Sequence, residues 1–144
     1  MTDAIECVAV ARQPCRRDRI MIVDDERAIR RLFSLILSSE LPGHEIDIAE
    51  DGGQAVELFR QRHQGLLLMD LRMPGMDGRA AFLAIEQACR ESNWEMPSVV
   101  FCTGFTPPET VRRVVEESCD VHALLAKPVS NDVLLDVVKR RLSR

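Results

Sequence analysis

No two of the five cysteines (Cys7, Cys15, Cys89, Cys102, Cys119) are spaced as CxxC, and an odd count closes no disulfide framework. A metal–thiolate centre and a secreted disulfide scaffold are both disfavoured, and a reducing cytoplasm is the expected compartment. Positive charge is not in surplus either. The 19 Lys and Arg face 23 Asp and Glu, a net charge of −4, which argues against direct binding of nucleic acid. No apolar run approaches the roughly 18 residues of a membrane span, so no membrane partner is expected. Asp3 and Glu6 stand where a signal peptide would have a basic start and a long apolar stretch. Internal repeats and low-complexity segments are absent. What remains is an ordinary balance, 46% apolar and 29% charged residues in 144. That length suits one domain, which buries roughly 68–70% of its unfolded surface.

Two hydrophobic periods alternate along the chain from Arg19 onward. Ile20-Met21-Ile22-Val23 is a short continuous apolar run, the mark of a strand buried on both faces. Ile29, Leu32, Phe33 and Ile36 then recur at helical spacing, with Arg30 and Arg31 on the opposite face. Ile46 and Ile48 alternate with charge, which predicts a strand near a sheet edge. A helix carrying Ala55, Val56 and Phe59 closes near Gly65, before the apolar strand Leu66–Met69. Ala81, Phe82, Ile85 and Cys89 mark the third helix, and Ser98–Phe101 the fourth strand. Pro107-Pro108-Glu109 suits a helix start, Ala123–Ala126 a fifth strand, and Ser130 the N-cap of a final helix. Five strands alternating with five helices form an α/β domain, a parallel sheet with helices on both faces. Residues 1–17 match neither period and read as an N-terminal extension; the domain is assigned to residues 18–144. His44, His63 and His122 read as solvent-facing, Cys89, Cys102 and Cys119 as small core residues. Trp94 reads equally as a lid on the core or a partner contact.

In an open parallel sheet, ligands sit beyond the carboxyl ends of the strands. This sequence places Asp24 and Asp25 after strand one, Asp70 after strand three, Thr103 after strand four and Lys127 after strand five. Each alone has a bland reading: a helix cap, a turn residue, a strand-end hydroxyl, a surface charge. All four must hold at once for the edge to be inert. Three carboxylates brought together repel, and a divalent cation relieves them. An all-oxygen donor set favours a hard ion, Mg²⁺ first and Mn²⁺ second. A lysine and a hydroxyl facing such an ion complete a cradle for a phosphoryl group, and a central carboxylate can form an acyl phosphate.

The set Asp24-Asp25, Asp70 with Met73-Pro74-Gly75 and Gly78, Thr103-Gly104, and Lys127-Pro128 resembles the receiver domain of two-component response regulators, of the stand-alone chemotaxis-regulator type. The resemblance runs from about Arg19 to the last residue. It implies a flavodoxin-like, doubly wound five-stranded parallel sheet of order 2-1-3-4-5. It implies Asp70 as phosphoacceptor, with Asp24, Asp25, Asp70 and the backbone carbonyl of Arg72 as Mg²⁺ ligands. Thr103 and Gly104 would close on the phosphoryl group and Lys127 would pair with it. The implied partners are a sensor histidine kinase or histidine phosphotransfer protein and a downstream protein target, with no attached output domain. The chain departs from the family pattern three residues before Lys127, where an aromatic residue often stands and this sequence has Leu124. Phe105, two residues past Thr103, is the alternative relay.

Two other functions use overlapping chemistry. A haloacid-dehalogenase-type phosphohydrolase also employs Asp, Thr or Ser, Lys and Mg²⁺, but begins with its nucleophile and places its acidic pair late; here the pair comes first. A constitutive interaction module would not need the full set of site residues. The leading reading is a switch rather than an enzyme. p-Nitrophenyl phosphate incubated with the protein and Mg²⁺ should accordingly give no sustained release of p-nitrophenol; multiple turnover would favour the phosphohydrolase.

Overall fold

Ten elements follow the alternation of short apolar runs and amphipathic stretches. In the computed structural model, which describes residues 11–104 and 106–143, they are β1 (Arg16–Val23), α1 (Arg27–Glu40), β2 (Glu45–Ala49), α2 (Gly52–Arg62), β3 (Gln64–Asp70), α3 (Gly78–Ser92), β4 (Ser98–Thr103), α4 (Glu109–Glu117), β5 (Ala123–Ala126) and α5 (Asn131–Leu142). All strand pairs are parallel and the sheet order is β2-β1-β3-β4-β5, as the resemblance implies. The period of two divides each inner strand between two cores. Met21, Val23, Leu67, Met69, Val99 and Phe101 face α2 and α3. Ile20, Ile22, Leu66, Leu68, Val100 and Cys102 face α1 and α5. Burial on both faces is why these strands read as unbroken apolar runs.

The pairing register levels the strand ends. Val23 lies beside Met69, Asp70 beside Cys102, and Thr103 beside Ala126. The residues that follow each apolar run therefore emerge at one edge. Helix starts there are held by local caps: the carboxylates of Asp51 and Asp77 accept the backbone N–H of Gln54 and Ala80, and the Ser130 hydroxyl accepts that of Val133. Asp24 and Asp25 are not used this way. Glu26 occupies the N-cap of α1 without a side-chain bond.

Several local expectations are corrected. β1 begins at Arg16 rather than Ile20, because Arg17 and Arg19 are half-buried with partners, Arg17 on Glu95 and Arg19 on Asp47. Hydropathy does not register a strand whose inward residues are paired charges. β3 starts at Gln64, so Gly65 lies inside the strand; a Cβ there would stand 2.8 Å from the Arg16 carbonyl oxygen. His63 is buried, not solvent-facing. It ends α2 in a left-handed conformation (φ 46°), stacks on Trp94 with centroids 4.3 Å apart, and its Nε2 lies 2.8 Å from the Glu95 carbonyl oxygen. Burial holds its pKa below the usual range, against the opposing pull of Glu95. His122 is buried too, its Nδ1 accepting the Val99 N–H at 3.0 Å. Trp94, half-buried, packs on the α2–α3 core as the lid reading expects. Leu32 is exposed, because the buried stripe of α1 runs through Phe33 and Leu37. Cys119 is exposed, whereas burial pushes the Cys89 and Cys102 thiols up to about 11 and about 12, so both are inert core groups.

Gly78 allows the loop after β3 to fold back on the strand end. Its N–H bonds the Leu71 carbonyl at 2.9 Å, and an added Cβ would meet the Asp70 carbonyl oxygen at 2.3 Å. Backbone against backbone cannot yield by a rotamer change. Gly78→Ala should therefore lower stability in urea denaturation by about 2 kcal/mol or more; a loss within about 0.5 kcal/mol would show that the loop relaxes freely.

Candidate functional site

The carboxyl edge of the sheet gathers Asp24, Asp25, Asp70, Thr103 and Lys127. One carboxylate oxygen from each of Asp24, Asp25 and Asp70 lies within 4.8 Å of the others, with Asp24 and Asp70 buried and Asp25 exposed. Lys127 reaches in from β5: its Nζ donates to Asp24 Oδ2 at 2.8 Å and stands 3.7 Å from Asp70 Oδ1. The Lys127 N–H also donates to the Thr103 carbonyl at 2.8 Å, which fixes the end of β5 against β4. The Lys127–Pro128 peptide is cis. Thr103 is buried at the last position of β4 and Gly104 is exposed just beyond it.

The electrostatics are unbalanced. Two carboxylates this close repel by about 3 kcal/mol at an effective dielectric near 20. Burial raises the pKa of Asp70, and the Asp24 charge raises it further. Lys127 and a hydrogen bond from the Arg72 backbone N–H oppose both. Lys127 is raised as well: burial alone would lower it, but its hydrogen bond to Asp24 and the fields of Asp24 and Asp70 outweigh that. One ammonium among three carboxylates leaves two negative charges over, the charge of a single divalent cation. All donors are oxygens, so the residues fit a hard ion such as Mg²⁺.

Most of the residues expected at the site are brought together. Arg72 sits on the loop after β3, next to a recess of about 290 Å³ lined by Leu71, Arg79, Thr103, Thr106 and Pro107 among others. Leu124 is half-buried and packs on the α2–α3 core. Phe105, the expected alternative relay, lies outside the described residues. Sequence reasoning missed Arg30, assigning it to the solvent face of α1. Its Nη1 donates to the Asp24 carbonyl at 2.9 Å and its Nη2 stands 3.6 Å from Glu50 Oε1. Periodicity could not find it, because a guanidinium on a long stem reaches round the helix start to a backbone acceptor.

Residues 20–139 match the family model described as the response regulator receiver domain. Protein PilH of Pseudomonas aeruginosa is 31% identical over 125 residues, which cover 87% of this chain and 98% of that protein. Regulatory protein AtoC of Escherichia coli is 34% identical over 125 residues, and there the chain spans only 25% of the relative's length. A solved CheY-like response regulator receiver domain protein from Methanospirillum hungatei superposes with a TM-score of 0.73 at 29% identity, covering 89% of this chain and 96% of that one. Among the described residues, no helix is long and apolar enough to cross a membrane.

A carboxyl whose folded pKa is raised stabilises the fold when protonated, and that contribution is lost as pH rises through the folded value. Without divalent cations, Asp70→Asn should therefore be more stable than wild type near neutral pH, by about 1 kcal/mol or more. The difference should shrink as pH falls towards the ordinary carboxylate range, about pH 4. Thermal melts in EDTA across that range check the sign; a variant less stable at neutral pH would place the repulsion elsewhere.

Proposed function

Because the chain belongs to the response regulator receiver domain family, we propose that it is a phosphorylation switch whose acceptor is Asp70. The observation that carries this reading is the meeting of Asp24, Asp25, Asp70 and Lys127 at one strand edge with two negative charges uncompensated. Asp24, Asp25, Asp70 and the Arg72 backbone carbonyl are the groups that would hold Mg²⁺, with Mn²⁺ as a substitute. The bound ion would neutralise the carboxylates and the phosphoryl oxygens, lowering the repulsion between nucleophile and donor.

The protein's own residues supply the rest. An Asp70 oxygen forms the new P–O bond while the P–N bond of a phosphohistidine breaks. The electron pair stays on the imidazole nitrogen, which takes up a proton. A sensor histidine kinase or a histidine phosphotransfer protein is the donor. Lys127, now shared between Asp24 and Asp70, exchanges part of that contact for the added phosphoryl charge. The Thr103 hydroxyl and Gly104 N–H close on the phosphoryl oxygens, which shifts the loop after β4. At position 124 a leucine must follow that shift without a hydroxyl or a ring, so the change reaches the α4–β5–α5 surface by altered packing beside Leu124 or by Phe105. A downstream protein in the cytoplasm reads the altered surface; nucleic acid and membrane are not contacted directly. The only chemistry is gain and loss of the phosphoryl group on the protein itself.

Intact-mass measurement after incubation with acetyl phosphate and Mg²⁺ tests this. Wild type should gain one phosphoryl group (~80 Da), and Asp70→Asn none. Lys127→Ala should be phosphorylated at least tenfold more slowly, an effect of roughly 1.4 kcal/mol or more on the transition state. Equal labelling of wild type and Asp70→Asn would remove Asp70 from its role.

A further inference from the structure

α1 and the edge strand β2 border an open, shallow groove of about 450 Å³ lined by Arg27, Arg30, Arg31, Ser34, Leu35, Ile48 and Glu50. That volume lies within the range of small-molecule sites, roughly 300–1,000 Å³. Its charge runs against the acidic balance of the chain, net −4. Three guanidinia converge on it, and they are not equivalent. Arg30 is largely buried and held by the Asp24 carbonyl and Glu50, so it forms part of the wall. Arg27 and Arg31, four residues apart on one face of α1, are exposed, and their side chains have no hydrogen bond or ion pair among the described residues. Eight other arginines, Arg16, Arg17, Arg19, Arg60, Arg62, Arg90, Arg113 and Arg140, have carboxylate partners, while Arg79 and Arg112 are unpaired among the described residues but lie outside the groove.

The groove is also polarised along its length. Arg27 and Glu50 lie at the end nearer the carboxyl edge of the sheet, and Leu35 lies two helical turns away, about 12 Å along α1. Leu35 is 68% exposed at the far end and Ile48 38% exposed on the β2 wall between it and Glu50, so uncovered apolar surface lines the groove beside the Ser34 hydroxyl. A guanidinium pair binds phosphate oxygens in a fork geometry that a simple point charge does not. The matching ligand carries a phosphate at one end and a small apolar or aromatic body beside it, within reach of Leu35 one helical turn beyond Arg31. We propose that the α1–β2 groove binds an organic phosphate monoester, its phosphate on Arg27 and Arg31 and its apolar body over Leu35 and Ile48. The site is separate from the acidic edge, which in the absence of a cation repels the same ligand.

Amide spectra of the full chain, recorded in EDTA so that the acidic edge stays anionic, test this with phenyl phosphate, inorganic phosphate and phenol as probes. Phenyl phosphate should shift the amides of Arg27–Leu35 and Ile48–Glu50 saturably, with an affinity at least tenfold above either fragment. The double variant Arg27→Gln/Arg31→Gln should weaken it at least tenfold with an unchanged melting curve. Leu35→Ser should weaken phenyl phosphate but leave inorganic phosphate as it was. Equal affinity for phenyl and inorganic phosphate would reduce the groove to a surface charge and overturn the proposal, as would shifts centred elsewhere or indifference to the double variant. Tighter binding of an acidic Glu/Leu peptide at the same residues would assign the groove to a protein partner and overturn it equally.

Discussion

Lys127 stands against two buried carboxylates that repel each other, and the arrangement of the carboxyl edge depends on that contact. Its Nζ is hydrogen-bonded to Asp24 and 3.7 Å from Asp70, while its N–H ties β5 to the last residue of β4. One side chain thus joins the first, third and last strands of a sheet whose order separates them in sequence. Removing the ammonium would leave Asp24 and Asp70 facing each other under a low local dielectric, where unpaired charge costs several kcal/mol. Keeping it still leaves the cluster two charges short of neutrality.

The opposite end of the sheet handles buried charge differently. Asp47 accepts from Arg19, Arg62 and Gln64, so its oxygens are fully engaged. Glu95 receives the N–H and thiol of Cys15 and the guanidinium of Arg17, and its carbonyl contacts His63. The bridge between Gln13 and Trp94 continues that seam towards the N-terminus. Buried Asp47 and half-buried Glu95 each have their own donors, which is what a structural site requires. The contrast is one of net charge: guanidinium groups match the carboxylates at one end, while at the other three carboxylates share one ammonium. Arg30 lies between the acidic edge and the α1–β2 groove, bound to the Asp24 carbonyl on one side and Glu50 on the other.

Much of this was legible in the residues. The strands Ile20–Val23, Leu66–Met69 and Ser98–Phe101 declared themselves because burial on both faces selects unbroken apolar runs, and Ala123–Ala126 reads as such a run although it is an edge strand only partly buried. Asp24, Asp25, Asp70, Thr103 and Lys127 could be placed at one edge because a parallel sheet presents all its carboxyl ends together. Ser130 was recognisable as a cap from its position alone, and the structure uses it so. These features share a cause: each is fixed by local sequence acting through a period or a chain reversal.

What the sequence left open depended on partners remote along the chain. Arg17 and Arg19 belong to β1 because Glu95 and Asp47 meet them, 78 and 28 residues away. His63 is buried because Trp94 and Glu95 cover it, and His122 because the Val99 N–H needs an acceptor. Leu32 faces solvent since the packing of Phe33 and Leu37 fixed the rotation of α1. Polar side chains have no periodicity that reveals whether a partner awaits them, whereas apolar ones are driven inward whatever they meet. The sequence by itself therefore determined the strand-and-helix order and which residues gather at the carboxyl edge. Only the tertiary structure decided which charges are compensated, because compensation is a property of pairs brought together by folding.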